Sequence, residues 1–375
     1  MANVLIFVND NSTLYNFRRE LLGRLVADSF DVTVALPAHE RNQAFRDLGC
    51  TVIETPLSRF GTNPVAELAT VARFVRIVRG ARPDVVLTYT AKPNIYGGLA
   101  ARLSRVPCIA TVTGLGAAFQ SESVIRRVSA LLQKLAFRDA QRVFFQNADN
   151  LATFRRLGVV NEQADVLPGS GVNLKLHRLE SYSPDADKTR FVTVARIRQD
   201  KGYDELFEAI RRTCSHRDDV EFHIVGWYED DSYRDIVAEM QARYPVVFHQ
   251  GVSQERVHEL MAESHCLVHP SHHEGMANVI LEASAAGIPS VASDIPGCRE
   301  PVEDGVTGLL HPVRNVSALH DAISRFLEIG WTDRREMGLA ARRKIEAEFD
   351  RESVVHRYVG EINRAVARGK QEAGV

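Results

Sequence analysis

Cys266-Leu-Val-His-Pro-Ser-His-His-Glu-Gly-Met-Ala-Asn-Val-Ile-Leu-Glu-Ala-Ser-Ala-Ala-Gly-Ile-Pro-Ser-Val-Ala-Ser293 is the stretch that decides the fold of this chain. It begins with a strand-sized apolar run that ends at His269, and a Pro-Ser turn follows. The next segment, from Asn278 to Ala286, has the apolar spacing of a helix, which Gly287 terminates before another strand starts. A strand, a loop, a helix and a second strand in this order predict a parallel β-sheet with helices on its faces.

The same alternation extends over most of the 375 residues, a length that suits two domains better than one core. Strands are predicted in the first half at Val4–Val8, Val32–Leu36, Thr51–Glu54, Val85–Thr88, Cys108–Thr113, Arg142–Gln146 and Asp165–Leu167. In the second half they are predicted at Phe191–Ala195, Glu221–Val225, Val246–His249, Cys266–His269, Ser290–Ser293 and Gly308–His311. The polar segment Glu180–Lys188 interrupts the alternation and is predicted to be the linker. The expected fold class is therefore α/β, with two doubly wound Rossmann-like domains and a ligand crevice at the carboxyl ends of the strands.

The composition is that of a globular enzyme, with 25% charged residues and 7% aromatic residues. No apolar run approaches the roughly twenty residues of a membrane span. The beginning of the chain lacks the basic segment and cleavage site of a signal peptide. Five scattered cysteines argue for a reducing compartment and against a disulfide framework, so we expect a cytoplasmic protein.

The net charge of −2 is distributed unevenly along the chain. Residues 1–180 hold 22 Lys and Arg against 15 Asp and Glu, an excess of seven positive charges, and the remainder has an excess of nine negative charges. A basic first half favours an anionic partner, although drift in surface composition explains the charge equally well.

A candidate anion site lies where the loop after His269 enters the helix. The backbone N–H groups of Gly275, Met276, Ala277 and Asn278 are predicted to point out of the helix N-terminus, where the helix dipole favours negative charge. Gly275 would allow a phosphate to approach the backbone closely. This segment is therefore a candidate binding site for the phosphates of a donor molecule.

Two carboxylates flank this candidate anion site. Glu274 and Glu282 are eight residues apart, about two helical turns, so they would lie at different depths along one wall. Carboxylates accept paired hydrogen bonds from sugar hydroxyls, which suits Glu274 for a transferred sugar and Glu282 for a nucleotide ribose. Taken alone, the segment is slightly better explained by an acidic helix start and one solvated glutamate.

A second motif, Val194-Ala-Arg-Ile-Arg-Gln-Asp-Lys-Gly202, follows an earlier strand. Arg196 offers a bidentate fork for a diphosphate, and Lys201 offers a compact positive charge. Cations after a strand are commonly just solvated. However, the carboxyl ends of parallel strands share one edge of a sheet, so this loop and Glu274 are predicted to form one site for a diphosphate and its sugars.

These motifs resemble the donor domain of retaining GT-B glycosyltransferases of family 4. The matching features are Arg196 with Lys201 and Gly202, His223-Ile-Val-Gly226, Pro270-Ser271, Glu274 with Glu282, Gly287-Ile-Pro289 and Glu303-Asp-Gly-Val-Thr-Gly308. The first half is similar to a subgroup of that family in Leu14-Tyr-Asn-Phe-Arg18, Lys92-Pro-Asn-Ile-Tyr-Gly97, Thr113-Gly-Leu-Gly116 and Pro168-Gly-Ser-Gly-Val-Asn173. The members of that subgroup elongate sugars on polyprenyl diphosphate in capsule, O-antigen or glycoprotein glycan assembly.

The resemblance implies a GT-B fold whose two domains face a cleft. Residues 1–178 would bind the acceptor and residues 185–350 the donor, a UDP-hexose or UDP-N-acetylhexosamine. Residues 351–375 would form a helix that crosses back to the first domain. The resemblance further implies transfer with retention of anomeric configuration, without a cofactor, since the nucleotide sugar is itself a substrate.

The resemblance also suggests residue roles. Arg196, Lys201 and Glu274 would be catalytic, and Gly226, Gly275–Asn278 and Glu282 would bind the donor. Arg18, Lys92 and Thr113 are the candidates for acceptor binding, and a basic surface there could hold the protein at the cytoplasmic membrane face. Tyr89 and Thr113 stand where many members carry histidine, and Asn9-Asp-Asn-Ser-Thr13 replaces a glycine-rich loop.

Several other features have competing interpretations. A sugar-nucleotide epimerase with the same fold is the alternative function, but its candidate acid–base groups in the first domain, Asp10 and Glu122, are few. His265, His269, His272 and His273 would point in different directions from a strand and a turn, so no metal site is expected. Asp185-Ala-Asp187 matches the metal-binding DxD of other transferases, but it falls in the predicted linker.

A helical segment that contains Arg126, Arg127, Lys134 and Arg138 also has apolar residues at helical spacing, which are Val128, Leu131, Leu132 and Leu135. This pattern is expected to represent a helix that packs on its own domain, with membrane contact as the alternative.

Overall fold

The computed structural model describes residues 1–57, 64–116, 124–179 and 187–372. The chain divides into a first unit, Met1–Ser170 together with the C-terminal residues from Glu352, and a second unit, Gly171–Arg351. Residues 171–178, which the sequence places in the first domain, therefore belong to the second unit. Most of the predicted linker, including Asp185, lies outside the described residues, as does Glu122.

The described part of the first unit contains a seven-stranded parallel sheet with the order β3-β2-β1-β4-β5-β6-β7. Its strands are β1 (Asn3–Phe7), β2 (Asp31–Leu36), β3 (Thr51–Glu54), β4 (Val85–Tyr89), β5 (Cys108–Val112), β6 (Arg142–Phe145) and β7 (Ala164–Val166). Strands such as β4, with the sequence Val-Val-Leu-Thr-Tyr, are buried along their whole length because helices cover both faces of a parallel sheet.

The helices of the first unit are α1 (Asn11–Ala27), α2 (Gln43–Asp47), α3 (Pro64–Ala81), α4 (Ala91–Leu103), α5 (Val124–Phe137), α6 (Ala148–Arg156) and, from Glu352 onward, α13 (Arg351–Glu372). The Oδ2 atom of Asp10 accepts hydrogen bonds from the backbone N of Thr13 at 2.8 Å and from its hydroxyl at 2.5 Å. Asp10 is thus a helix cap for α1, which explains its presence without an acid–base role.

The described part of the second unit contains a six-stranded parallel sheet with the order β10-β9-β8-β11-β12-β13. Its strands are β8 (Thr189–Val194), β9 (Val220–Gly226), β10 (Val246–Gln250), β11 (Cys266–His269), β12 (Ser290–Ser293) and β13 (Gly308–His311). Its helices are α7 (Tyr203–Cys214), α8 (Tyr233–Arg243), α9 (Gln254–Ala262), α10 (Asn278–Ala285), α11 (Val316–Glu328) and α12 (Trp331–Glu348). The strand positions predicted from the sequence are confirmed in both sheets, within two residues at the ends.

Both sheets reverse their strand order at one point. In the first sheet this point lies between β1 and β4, and in the second it lies between β8 and β11. The loops that follow these strands diverge to opposite faces, which leaves a crevice at the carboxyl edge of the sheet. In the second unit the motifs with Lys201 and Glu274 follow β8 and β11, so the topology brings them to this crevice.

The two ends of the second unit lie side by side. The backbone N of Val172 donates to the Phe349 carbonyl at 2.8 Å, and the backbone N of Arg351 donates to the Val172 carbonyl at 3.1 Å. Gly171 has a φ of 64°, and a Cβ there would lie 2.6 Å from the Cα of Arg351. Only glycine fits at this position, because both the backbone angle and the close approach exclude a side chain.

Candidate active site

The loops after β8 and β11 are packed tightly together. Gly202, at the start of α7, has a φ of 74°, and a Cβ at this position would lie 2.1 Å from the Pro270 carbonyl oxygen. The backbone N of His272 donates to the Asp200 carbonyl at 2.9 Å. The glycine therefore serves less to form a flexible turn than to let the two loops meet.

Lys201 and Glu274 form an ion pair where these loops meet. The Lys201 Nζ lies 2.5 Å from the Glu274 Oε1, and both side chains are mostly buried, at 13% and 14% exposed. The Nε2 of His269 lies 3.1 Å from the same carboxylate oxygen. Burial alone would raise the pKa of Glu274, but Lys201 and His269 outweigh it and hold the pKa well below its usual range. Glu274 is therefore an ionised carboxylate whose charge is already compensated.

The helix N-terminus differs from the sequence prediction. α10 begins at Asn278, and the backbone N of Ala277 donates to the Gly297 carbonyl at 2.8 Å. The Ala277 amide is therefore not available to a phosphate, and the residue is buried beside Met276. The Oδ1 of Asn278 is buried and has no hydrogen-bond partner among the described residues, so a polar group remains at the helix start.

Arg196 is also paired, and its partner was not predicted from the sequence. The Nη1 of Arg196 lies 2.5 Å from the Glu229 Oε1, and the Nη1 of Arg198 lies 3.0 Å from the other oxygen of the same carboxylate. Arg198 also contacts Asp200. Burial raises the pKa of Glu229, but the two arginines lower it by more, so the net shift is downward. The carboxylate is therefore ionised. Each of the two predicted cations, Arg196 and Lys201, therefore holds a carboxylate.

Glu229 could have been found from its position. It lies three residues after the end of β9, at the same edge of the sheet as Arg196. The last residue of β9, Gly226, is tightly packed. A Cβ on Gly226 would lie 2.0 Å from the Ala195 carbonyl oxygen, so the chains leaving β8 and β9 run in contact. Gly226 is therefore required by packing, whatever its role toward a donor.

Glu282 lies in α10, as predicted, and its environment is unlike that of Glu274. Burial raises the pKa of its carboxyl to about 7, against a smaller opposing effect of the Arg351 guanidinium. Near neutral pH this carboxyl is therefore divided between its ionised and protonated forms. A group in this state can accept hydrogen bonds from hydroxyls and, when protonated, can donate one to them.

The histidines near this site contact separate partners. His269 contacts Glu274, the Nε2 of His272 lies 3.0 Å from the Glu205 Oε1, and the Nδ1 of His265 accepts from the Arg190 backbone. Among the residues that the structure describes, no group of three or more histidines, cysteines or acids is placed to hold a metal ion.

The predicted acceptor residues of the first unit do not form an exposed basic surface. Arg18 is only 4% exposed, and its guanidinium lies 5.0 Å from the centre of the Tyr89 ring and 5.5 Å from that of Tyr358. Its Nη1 donates to the neighbouring Phe17 carbonyl at 2.8 Å. The expectation that Arg18 belongs to a basic surface is wrong, because the first turns of α1 face the core.

Lys92 and Thr113 occupy different positions at the edge of the first sheet. The Nζ of Lys92, in the first turn of α4, lies 2.7 Å from the Glu67 Oε1, and both side chains are largely buried. Thr113 directly follows β5 and is half-buried. At the reversal point of the sheet, the Thr90 hydroxyl donates to the Asn9 side chain at 2.9 Å. Thr113 and Lys92 thus lie after β5 and β4, where a ligand of this sheet would bind.

Comparison with known proteins matches both halves of the chain to glycosyltransferase models. Residues 16–169 match the glycosyl transferase 4-like domain, and residues 179–344 match glycosyl transferases group 1. The chain is 30% identical over 289 residues to a GDP-mannose-dependent alpha-mannosyltransferase of Mycobacterium tuberculosis, covering 73% of this chain and 71% of the relative. The chain belongs to the group 1 glycosyltransferases.

A second relative matches this glycosyltransferase over nearly its full length. It is the N,N'-diacetylbacillosaminyl-diphospho-undecaprenol alpha-1,3-N-acetylgalactosaminyltransferase of Campylobacter jejuni, 27% identical over 372 residues, covering 95% of this chain and 96% of the relative. The crystal structure of Anabaena HepE in complex with UDP and glucose has a TM-score of 0.79 and 20% identity, covering 97% of this chain and 100% of that chain.

These findings confirm that the glycosyltransferase has the GT-B fold class, with two Rossmann-like units built on parallel sheets. None of the three proteins compared above is an epimerase, so the alternative function receives no support. Within the described residues, the helices are too short or too polar for any of them to traverse a bilayer.

Proposed function

We propose that this glycosyltransferase moves a hexose or N-acetylhexosamine from a UDP-sugar to a sugar carried on polyprenyl diphosphate, with retention of configuration, in surface glycan assembly. The observation that carries the proposal is the pair of compensated cations, Lys201 with Glu274 and Arg196 with Glu229, at the reversal point of the second sheet. A nucleotide diphosphate brings negative charge to such a point, and the crevice there is where doubly wound sheets bind ligands.

The paired carboxylates suit the chemistry of the leaving group. As the bond between the sugar C1 and the diphosphate oxygen breaks, its electron pair goes to that oxygen and negative charge grows on the diphosphate. Lys201 and Arg196 would stabilise this charge. Their carboxylates hold both cations in place beforehand, so little reorganisation is needed at the moment of reaction.

Retention is proposed from the resemblance to retaining transferases, and the state of Glu274 bears on the route by which it would be achieved. A covalent intermediate would need a free carboxylate nucleophile, whereas this oxygen is shared between Lys201 and His269. We therefore favour attack of the acceptor hydroxyl on C1 from the side of the leaving group, with its proton passing to the departing diphosphate. Glu274 and Glu282 would bind hydroxyls of the sugar and the ribose, respectively.

The nature of the acceptor is suggested by the Campylobacter relative, whose name describes a sugar on diphospho-undecaprenol as its acceptor. UDP as the nucleotide is supported by the Anabaena structure, which contains UDP and glucose in the same fold. Since Lys201 and Arg196 can donate hydrogen bonds to a diphosphate and the helix start adds a partial positive charge, we further propose that neither a metal nor a cofactor takes part. The enzyme would work at the cytoplasmic face of the membrane that holds its acceptor.

The test is a panel assay with the purified full-length enzyme. UDP-, GDP- and dTDP-linked sugars are incubated with polyprenyl-diphosphate-linked acceptors, and mass spectrometry detects a product larger by one sugar. NMR of the new linkage reports its anomeric configuration. Product from UDP-sugars with an α-linkage supports the proposal. Product only from another nucleotide, or a β-linkage, overturns the donor or the mechanism, respectively.

A further inference from the structure

Helix α5 presents an apolar stripe to the outside of the first unit. Val124, Val128, Leu131 and Leu135, spaced by four, three and four residues, lie on one side of the helix and are 74%, 50%, 56% and 38% exposed. Gln133, Ala136 and Phe137, on the opposite side, are buried. The helix therefore packs on its own domain, as expected, but it does so through Leu132, Ala136 and Phe137. Val128, Leu131 and Leu135 face outward instead.

Positive charge runs along one flank of this stripe. Arg127, Lys134 and Arg138 repeat at intervals of seven and four residues, so they line up beside the leucines. All three side chains are exposed, and none of them makes an ion pair or hydrogen bond among the residues that the structure describes. Other surface arginines of this chain are paired with an acid, as Arg102 is with Asp139 at 2.7 Å and Arg24 is with Asp28 at 2.8 Å.

The helix contains no acidic residue between Val124 and Arg138. The single acid at its end, Asp139, is neutralised by Arg102. An apolar stripe beside unpaired cations on one exposed face is complementary to a surface that is apolar inside and anionic outside. Isolated exposed leucines need no explanation, but four aligned side chains with a basic flank do.

We propose that the exposed face of α5 docks on an anionic lipid bilayer. The four apolar side chains insert among the acyl chains near the headgroups, and Arg127, Lys134 and Arg138 contact lipid phosphates. This inference rests on the proposed function in one respect, which is that a bilayer holds the acceptor. The surface itself is independent of donor, linkage and mechanism.

Vesicle co-sedimentation of the full-length protein tests the inference. The vesicles are phosphatidylcholine alone and an equal mixture of phosphatidylcholine and phosphatidylglycerol, each at low and high salt. Binding to the anionic vesicles that weakens with salt is expected, since a cation near an anionic surface changes partitioning about five-fold. Equal binding to both vesicle types, or no binding to either, overturns the proposal.

Two variants separate the contributions of the stripe and of its flank. Leu131→Ser with Leu135→Ser removes apolar surface, and we expect partitioning to fall on the order of ten-fold. Replacing Arg127, Lys134 and Arg138 by glutamine should reduce it on the order of ten-fold or more and abolish its salt dependence.

Matched control variants carry the same changes on the second unit. Leu176→Ser with Leu179→Ser alters two leucines that are 55% and 50% exposed, against 56% and 38% for Leu131 and Leu135. Replacing Arg234, Arg243 and Arg256 by glutamine removes the same number of charges. If the controls lose as much binding as the α5 variants, the proposed surface is wrong. Self-association through α5, seen as an oligomer in light scattering that the Leu131→Ser and Leu135→Ser changes dissolve, would also overturn it.

Transfer to a water-soluble acceptor with a short lipid chain distinguishes this inference from the proposed function. The α5 variants should retain wild-type turnover with the soluble acceptor and lose it only with acceptor in vesicles. If no variant and no wild-type protein transfers sugar to either acceptor while vesicle binding persists, the proposed function fails and the docking surface stands. Loss of turnover with the soluble acceptor in the α5 variants alone would place α5 in the acceptor site instead.

Discussion

Changes to the ion pair between Lys201 and Glu274 should affect the stability of the fold and the turnover of the enzyme in different ways. The pair is 2.5 Å long, and its side chains are only 13% and 14% exposed. Glu274→Gln leaves the Lys201 ammonium buried without its charge partner, and Lys201→Met does the same to the carboxylate. Removing one member of a buried pair costs about 3 kcal/mol or more. For a unit of this size, that lowers the melting temperature by roughly 6–12 °C.

The double variant Lys201→Met with Glu274→Gln should recover most of the lost stability, because it leaves no uncompensated charge. A double-mutant cycle should therefore give a coupling free energy of at least about 2 kcal/mol. Turnover should behave differently. Lys201→Met is expected to lower kcat by about two to three orders of magnitude, and the double variant should recover none of this loss.

Thermal unfolding by calorimetry and initial rates of UDP release with acceptor present give the two quantities. His311→Gln serves as a control, since His311 is also buried at a strand end of the same sheet, and the ring hydrogen bond that the described residues give it goes to the Pro312 carbonyl. Additive losses of stability in the double variant would refute the energetic coupling. Near-wild-type kcat in Lys201→Met would refute the donor-site assignment, even if the coupling is found.

Three further outcomes are expected. Arg196→Ala should lower kcat by about two to three orders of magnitude. Glu229→Gln should lower kcat less, because Arg196 is still present. Arg217→Ala, which breaks an exposed ion pair, serves as the kinetic control. For Glu282, the folded-state pKa of about 7 lies above the usual 4.5. The folded state therefore binds the proton more tightly, and stability falls as pH rises from about 4.5 to about 7. Glu282→Gln should abolish this pH-dependent loss of unfolding free energy, which is on the order of 1–3 kcal/mol. Denaturant titration at a pH below 4.5 and at a pH above 7 measures it. An identical pH profile in the variant would contradict the assignment. Turnover should be unchanged in excess chelator, and a rate that collapses and then returns with Mg²⁺ or Mn²⁺ would show that a metal is required.

The elements of this fold could be predicted from local pattern because each depends on a few adjacent residues. The apolar runs at Val85–Tyr89 and Cys266–His269 are strands in the structure, and Gly287 ends its helix as its sequence context indicates. The meeting of Lys201 and Glu274 could also be predicted, because parallel strands bring the loops at their carboxyl ends to one edge.

The contacts that could not be predicted join side chains or backbone groups that are far apart in the sequence. Glu229 is separated from Arg196 by more than thirty residues, and although its position after β9 indicates the correct edge of the sheet, the sequence does not show which cation it contacts. Arg18 looked like a surface charge, but it is buried between two tyrosines, one of which lies in the last helix. The Ala277 amide donates its hydrogen bond to the carbonyl of Gly297, which lies in the loop after a different strand.

The adjacent ends of the second unit have an evolutionary consequence. Gly171 and Arg351 are in contact, so everything between them leaves and re-enters the first unit at one place, as a single continuous insertion. Insertions with neighbouring ends are readily accommodated by the host fold. One recombination event that replaces residues 171–351 can therefore exchange the whole second unit between related genes, while the strands and the final helix of the host remain intact. New combinations of the two units could arise in this way without gradual remodelling of either.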